Sequence, residues 1–561
     1  MPVEQLRKEL ERVVADLAGT DEVPVQLERP RNPEHGDWAT NVALVLAGRL
    51  KQSPRQIAET IAERLDVAAS GVTSVEVAGP GFINFRLAGA VLEGQLAEIV
   101  SADRAYGRSE VGGGRRVIVE FVSANPTGPL HVAHGRGAVL GDAIASLLDW
   151  TGYDVHREFY VNDAGVQIDK LARSLEARWL TRQGEETEIP EGGYLGQYLV
   201  DMAAEVEAEA GDELRAMDRE ARLQWLRDWA VTRLKDGQDR DLRELRVFFD
   251  EFYHESRLYA EDRVQETLRE LEERGLTYES EGALWLRTST FGDDKDRVLR
   301  KSDGSYTYFT PDIAYHRDKA RRGFDLAIDV WGADHHGYVP RMKAALAALG
   351  HPDFLDVEIV QMVRILRGGK EVRLSKRSGE FVTLRDLFEE TGVDVARYFF
   401  LMRRGEAQMV FDLDLALDHS EKNPVYKVQY AHARMMSILG RAGIAPEEVT
   451  TEGVDLTLLS TEDERALIKQ LALFPEVVER AAEARSPQVV CEYLEATAGM
   501  VNSWYHAGNP SRNPELAVLV EDDSLRKARL VLVRAIRTVL RNGLELLGLT
   551  APDRMHREDA E

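Results

Sequence analysis

The run VIVEFVS (117–123) is β-rich and apolar, the pattern of a strand. After a glycine-rich loop, GAVLGDAIASLLDWTG (137–152) puts Val139, Leu140, Ile144, Leu147 and Leu148 at helical spacing. A strand–loop–helix junction therefore opens an α/β region near residue 117. Upstream, MPVEQLRKELERVV (1–14) reads as an amphipathic helix and SVEVAGPGFINFRL (74–87) as strand–turn–strand. PRNPEHGDWATN (30–41) reads as an exposed loop entering a helix capped by Asp37 or Thr40, and RSEVGGGRR (108–116) has linker composition. From about 170 to 280 the pattern turns helical and acidic, which predicts an insertion. Strand patterns return at ALWLRT (283–288), SYTYFT (305–310), FDLAIDVWG (324–332) and DVEIVQMVRIL (356–366). Helical periodicity takes over from about 400. The expected division is an α+β domain over 1–110, an α/β domain over 111–400 and an all-α domain over 401–561.

Composition narrows the classes. A chain of 561 residues with 44% hydrophobic and 30% charged positions suits a soluble protein of several domains with sizeable cores. No apolar run approaches the roughly 20 residues of a membrane span, and the first helix does not read as a signal peptide, so the cytoplasm is the expected compartment. The single cysteine, Cys491, excludes an internal disulfide framework and a Cys-rich zinc site; its helical spacing marks a core thiol. The formal net charge of −26 argues against indiscriminate nucleic-acid binding but leaves room for a discrete basic surface. Lys527, Arg534, Arg537 and Arg541 repeat along one helix face, either as a solvated stripe with local ion pairs or as an RNA contact.

Two loops carry the chemistry. GPLHVAHGRG (128–137) sets His131 and His134 on one face at a helix start, where unpaired N–H groups attract anions and glycines admit a ligand close to the backbone. On spacing alone, a capping loop with incidental histidines reads equally well. GGKEVRLSKRSGEF (368–381) clusters cations and hydroxyls between glycines, which suits a clamp on a polyphosphate. Alone it is equally a surface turn; each loop following a strand of one α/β domain is more specific.

HVAH resembles the HIGH signature, and RLSKRS the KMSKS signature, of class I aminoacyl-tRNA synthetases. SANPTGPLHVAHGRGA, GYDVHREFYVNDAG, WGADHHGY, RLSKRSGEFVTLRDL, NPVYKVQYAHAR and LGLTAPDRM resemble arginyl-tRNA synthetases, in that family's order. PRNPEHGDWATNVAL and VAGPGFINF resemble its additional N-terminal domain. The resemblance implies a Rossmann-like catalytic core with a helical insertion, an N-terminal tRNA-binding domain and an all-helical anticodon-binding domain. It implies ATP-dependent activation of L-arginine and transfer to tRNA(Arg). Magnesium then arrives with ATP, no dedicated protein metal site or permanently bound cofactor is needed, no membrane is involved, and a monomer is expected.

By the same resemblance, His131 and His134 contact the ATP phosphates and ribose, Gly135 and Gly137 give the nucleotide close access, and Lys376 neutralises charge developing toward pyrophosphate, with Ser375 and Ser378 shaping its loop. Arg373, Leu374 and Arg377 depart from the KMSKS pattern, but its second lysine remains as Lys376. Some relatives lacking that lysine carry one three residues before the first HIGH histidine; here that position is Gly128.

A guanidinium is planar, permanently charged and forked, so selecting it over an ammonium calls for carboxylates in fixed geometry. Glu120 interrupts an apolar strand near its carboxyl end, where open α/β sheets bind ligands. Its charge needs a partner, whether substrate or an internal salt bridge. The resemblance assigns Glu120 and Asp312 to the guanidinium, with Tyr308 beside it, Ser123 and Asn125 at the amino-acid head group, and His335 near the same site. Tyr430 and Arg434 in QYAHAR lie one helical turn apart, a platform for an unstacked base or a buried tyrosine with a surface arginine. Lys427 falls where many relatives carry a second tyrosine. The family reading adds Met555, His35 and Trp38 to the tRNA-binding set.

Overall fold

The computed structural model describes residues 2–20, 22–30, 32, 35–67, 69–163, 165–371 and 383–555, with side chains from residue 5 onward. The chain groups into two compact units. One comprises Met1–Tyr106, Arg434–Leu473 and Met500–Val539; the other comprises Gly107–Ala433, Phe474–Gly499 and Leu540–Glu561. The helical region after 400 is thus shared between them.

In the first unit, α1 (Pro2–Ala18) buries Leu6, Leu10, Val13 and Val14, one stripe at helical spacing. β1 (Trp38–Thr40), β2 (Val72–Ala78) and β3 (Phe82–Leu87) pair antiparallel in the order β1-β3-β2. They are interleaved with α2 (Val42–Leu50), α3 (Pro54–Arg64) and α4 (Gly89–Ala102). Asn41 holds the N-cap position of α2. Thr40 accepts from the Val42 N–H at 3.3 Å, whereas Asp37 is drawn away, accepting from the Leu87 N–H and pairing with Lys469.

The second unit is built on a five-stranded parallel sheet. β4 (Arg116–Glu120) is its centre, with Val117, Ile118 and Val119 fully buried. α5 (Val132–Trp150) leads to β5 (Asp154–Val161). The insertion follows as α6 (Val166–Arg182), α7 (Gln197–Ala216) and α8 (Arg219–Glu244), packed around Leu171, Trp179, Leu199, Val206 and Leu226. The chain then rejoins the sheet as β6 (Glu251–His254), so the insertion ends well before residue 280. Next come α9 (Glu255–Ala260), α10 (Arg263–Glu273) and an antiparallel meander of β7 (Thr277–Ser280), β8 (Ala283–Leu286) and β9 (Arg297–Arg300). α11 (Phe309–Arg321), β10 (Leu326–Gly332), α12 (Val339–Ala348) and β11 (Leu355–Val360) complete the sheet in the order β11-β10-β4-β5-β6. The order reverses between β4 and β10, and at such a switch point the carboxyl ends of the strands open into a crevice.

β12 (Val363–Arg367), β13 (Lys370–Glu371) and β14 (Met409–Asp412) form a small separate sheet; α13 (Leu384–Thr391) and α14 (Val393–Leu401) lie between β13 and β14. The remaining elements are α15 (Leu413–Ala416), α16 (Pro424–Ala442), α17 (Glu462–Leu471), α18 (Phe474–Glu483), α19 (Gln488–Ala507) and α20 (Asp523–Leu546).

Three expectations are corrected. SYTYFT is not a strand: Tyr306 makes one bridge to Arg300, and α11 begins at Phe309 with Pro311 and Asp312 in its first turn. DVEIVQMVRIL is two strands in two sheets, divided at Gln361 and Met362. The basic stripe of α20 is not an open cationic face. Arg534 donates to the carbonyls of Val449 and Val100, Arg537 lies 3.9 Å from Asp103, Arg541 is buried, and Lys527 pairs with Asp523 at 2.7 Å.

Candidate active site at the carboxyl ends of the central strands

The chain leaves β4 through a strained corner. Val122 and Ser123 have φ of 70° and 40°, a region that costs a β-branched residue about 1–3 kcal/mol. The corner is held by polar contacts. Ser123 Oγ donates to Glu120 Oε1 at 2.8 Å and accepts from the Tyr160 N–H at 3.1 Å. The insertion supports the loop that follows. Gln238 Nε2 donates to the carbonyls of Asn125 (3.1 Å) and Gly128 (2.9 Å), and the Tyr198 hydroxyl donates to the Thr127 carbonyl at 2.6 Å. Asn125 Nδ2 donates to Gln167 Oε1 at 2.9 Å, so this head-group candidate is positioned from α6.

His131 occupies the N-cap of α5 and His134 its third position. Their rings stack with centroids 3.6 Å apart, and the His131 N–H donates to His134 Nδ1 at 3.3 Å. His134 thus caps the first turn of α5 through its ring nitrogen. Burial lowers the pKa of His131; burial, then the neighbouring His131, lowers that of His134 to about 3. Both rings are neutral at pH 7. Gly135 packs against Leu384, where a Cβ would overlap the leucine, so its smallness serves α13 packing. Gly137 has nothing within 4 Å of a Cβ position and keeps an open side. Ser375, Lys376 and Ser378 lie outside the described residues, as do Arg373, Leu374 and Arg377.

The depressed His134 pKa has a stability consequence of definite sign. Below pH 6.5 the unfolded chain takes up a proton that the folded chain refuses until about pH 3, so stability is full above 6.5 and falls as pH drops through this window. Between pH 7.5 and 5, His134 alone is expected to remove about 2 kcal/mol, at ~1.4 kcal/mol per unit below 6.5. Urea unfolding at both pH values checks this, and His134→Gln should flatten the difference by that amount. An unchanged pH dependence in the variant would contradict the assignment.

Glu120 is buried, and it is already paired. Lys319, wholly buried on α11, donates to Glu120 Oε2 at 2.5 Å and Asp329 Oδ1 at 2.9 Å. His316 bonds Asp329 through Nε2 at 2.6 Å and the Asp312 carbonyl through Nδ1 at 2.8 Å. Glu120 therefore has an internal ion pair, as the salt-bridge reading expects. Beside it, Tyr315 donates to Glu158 at 2.6 Å, and Arg322 pairs with Glu158 (2.5 Å) and Glu251 (3.0 Å). Among the described residues, two groups have metal-compatible spacing, Glu120–His316–Asp329 and His156–Glu158–Glu251. Each already contains a protein cation, Lys319 in one and Arg322 in the other.

A different carboxylate joins Asp312. Asp312 accepts from the Tyr338 hydroxyl at 2.6 Å, and burial raises its pKa. Glu255, immediately after β6, is pushed up to about 7, mainly by burial and further by the charge of Asp312. Raised carboxylates within electrostatic reach of one another form a site that an arriving cation stabilises. Tyr308 stands at the start of α11, 76% exposed, and Tyr259 donates to Glu255 at 3.4 Å. His335 is exposed, 3.3 Å from Asp334. Glu255 was not among the sequence candidates, yet it occupies the same kind of position as Glu120, at the carboxyl end of a parallel strand.

The tRNA candidates fall in different surroundings. Tyr430 is partly buried and stacks on Tyr426 at 5.5 Å. Arg434 is buried, donating to Asn502 at 2.6 Å and lying 4.9 Å over the Tyr505 ring, so it is not the exposed half of a base platform. Met555 lines a cavity of about 410 Å³ with His419, Tyr426 and Gln429. Trp38 is 5% exposed with Arg29 over its ring at 4.5 Å, a core position; His35 is exposed.

The family model "tRNA synthetases class I (R), catalytic domain" matches residues 95–408, "Arginyl tRNA synthetase N terminal domain" matches 4–87, and "DALR anticodon binding domain" matches 428–555. An arginine–tRNA ligase of Syntrophotalea carbinolica is 50% identical, covering 95% of each chain. Arginine–tRNA ligase 1 of Halalkalibacterium halodurans is 47% identical over 98% of this chain and 99% of that protein. The solved arginyl-tRNA synthetase of Thermus thermophilus superposes with a TM-score of 0.72 at 25% identity, covering 98% of this chain and all of that one.

Proposed function

The chain belongs to the arginyl-tRNA synthetase family, and from that premise we propose how its own residues carry the reaction. The enzyme activates L-arginine with ATP and transfers it to the 3′-terminal ribose of tRNA(Arg). The arginine carboxylate oxygen attacks the α-phosphorus as the bond to pyrophosphate breaks. A ribose hydroxyl oxygen then attacks the acyl carbon, losing its proton, and AMP leaves with the bonding electrons. Positioning and charge stabilisation are what the protein supplies.

His131 and His134, as neutral imidazoles, offer N–H donors to the ATP phosphates and ribose, and Gly137 leaves room for the nucleotide. Lys376, flanked by Ser375 and Ser378, stabilises charge moving toward pyrophosphate; magnesium comes with ATP as the substrate complex. Asp312 and Glu255 take the guanidinium, with Tyr308 against it and His335 at the rim. Glu120, fixed by Lys319, orients Ser123, which with Asn125 faces the amino-acid head group. Tyr430 and Met555 face tRNA, together with His35; Arg434 and Trp38 support those surfaces from within. The enzyme acts as a cytoplasmic monomer; no helix among the described residues is long and apolar enough to cross a membrane. The observation that carries this reading is the raised Asp312 and Glu255 beside the sheet that presents the stacked histidines. Arginine-dependent ATP–pyrophosphate exchange with tRNA(Arg) tests it.

Lys376→Ala is expected to leave arginine and ATP binding nearly intact while slowing activation by roughly two to three orders of magnitude, the usual cost of one preorganised charge contact. Single-turnover adenylate formation measures it; wild-type rates in the variant would refute the clamp role.

A further inference from the structure

Arg136 is an anomaly in α5. It is fully buried, yet its partners are three carbonyl oxygens: Nη1 donates to Gln361 (2.8 Å) and Ala407 (3.0 Å), and Nη2 donates to Arg404 (2.8 Å). No carboxylate lies within 4.0 Å of it among the described residues, and its Nε makes no hydrogen bond. Two other buried guanidinium groups have an acid partner, Arg397 with Asp142 at 2.5 Å and Arg529 with Glu464 at 2.8 Å. Arg136 also sits in the fifth position of α5, close to the positive end of the helix dipole, where a cation is disfavoured. Burial lowers its pKa only to about 10, so it stays charged at neutral pH. Desolvation, lack of a carboxylate partner and the helix dipole all count against a charge at this position. An anion at the start of α5 supplies the missing counter-charge and offsets the dipole.

We propose that Arg136 is a positioning residue for ATP, a fixed positive charge behind the first turn of α5 that also locks that turn to two neighbouring segments. Gln361 immediately follows β11, and Arg404 to Ala407 lead into β14. One guanidinium therefore sets the histidine turn and the carboxyl end of β11 in a single frame. Gly405 completes the contact: a Cβ there would press on Leu140 of α5 and the Ile359 carbonyl. The proposal rests on nucleotide binding at His131 and His134.

The test uses the full chain with arginine and tRNA(Arg), comparing R136Q, R136K and H134Q by ATP–pyrophosphate exchange and by thermal unfolding with and without ATP. R136Q is expected to raise KM for ATP by roughly tenfold or more, to leave KM for arginine within about twofold, and to lose most of the ATP-induced rise in Tm. R136K, which keeps the charge but loosens the grip on the carbonyls, should raise KM for ATP only severalfold. If R136Q does not fold, R136K decides by the same split between ATP and arginine. Lowered Tm with both KM values unchanged would mean a purely packing role and overturn the proposal. If H134Q raises KM for ATP and neither Arg136 variant does, only the role of Arg136 fails. If H134Q also leaves KM for ATP unchanged, the nucleotide site itself is misplaced and the proposal falls with it.

Discussion

Asp312→Asn and Glu255→Gln are each expected to raise KM for arginine by at least about thirtyfold while KM for ATP moves only a few-fold. Truncating one side of a desolvated charge pair costs roughly 2–5 kcal/mol, and each 1.4 kcal/mol is about tenfold. The forked guanidinium engages two acceptors at once, so discrimination against lysine should fall with either substitution. Steady-state exchange over a range of arginine and lysine concentrations measures both effects. Glu120→Gln serves as the contrast. Its carboxylate is bonded to Lys319 deep in the sheet, so its main expected effect is a loss of about 3–5 kcal/mol in unfolding free energy. Arginine dependence that changed in Glu120→Gln but in neither Asp312→Asn nor Glu255→Gln would return the guanidinium to Glu120.

That contrast marks where sequence reading stops. The strand–loop–helix junction at 117–152 is legible because its cause is local: an unbroken apolar run, then glycines, then helical spacing. The arginine site is not, because its decisive residue reads as something else. Lys319 lies in HRDKARR, a charged stretch with the look of a solvated helix face; only the docking of α11 on β4 and β10 buries it between Glu120 and Asp329. Glu255 follows a strand of four residues at the end of a long acidic helical region, too short for its alternation to stand out. Arg434 shows the same limit. Helical spacing puts it on the Tyr430 face, but Asn502 and Tyr505 of α19 close over it. SYTYFT misleads in the other direction. Its aromatic and β-branched residues favour a strand, yet Thr307 and Thr310 donate to the Leu299 carbonyl and the chain turns into α11.

Pyrophosphate exchange is expected to require tRNA. The family resemblance implies that arginine is activated only with tRNA bound, and the second unit contains a physical route for the signal. Gln429 on α16 donates to Asp394 at 2.7 Å and to the Thr550 carbonyl at 2.9 Å, while His432 bonds the Pro552 carbonyl at 3.0 Å. Asp394 and Arg397 share α14; Arg397 donates to the Leu547 carbonyl at 2.9 Å and to Asp142 of α5 at 2.5 Å. The segment from Leu547 to Thr550 is thus hydrogen-bonded, through α14, to the helix that carries His134. An RNA that shifts this junction acts on α5 with a coupling of about 1–3 kcal/mol, or roughly 5- to 150-fold in rate or affinity, if it behaves as other linked sites do. Purified protein is treated with nuclease to remove carried RNA, then assayed with arginine and ATP, with and without tRNA(Arg). Robust exchange in the RNA-free sample would end the idea. Exchange restored equally by a tRNA altered in its anticodon would place the entry of the signal elsewhere, with the N-terminal region around His35 the next surface to mutate. In the expected case, exchange appears only with tRNA, falls with the altered anticodon, and Arg397→Lys weakens its dependence on the anticodon.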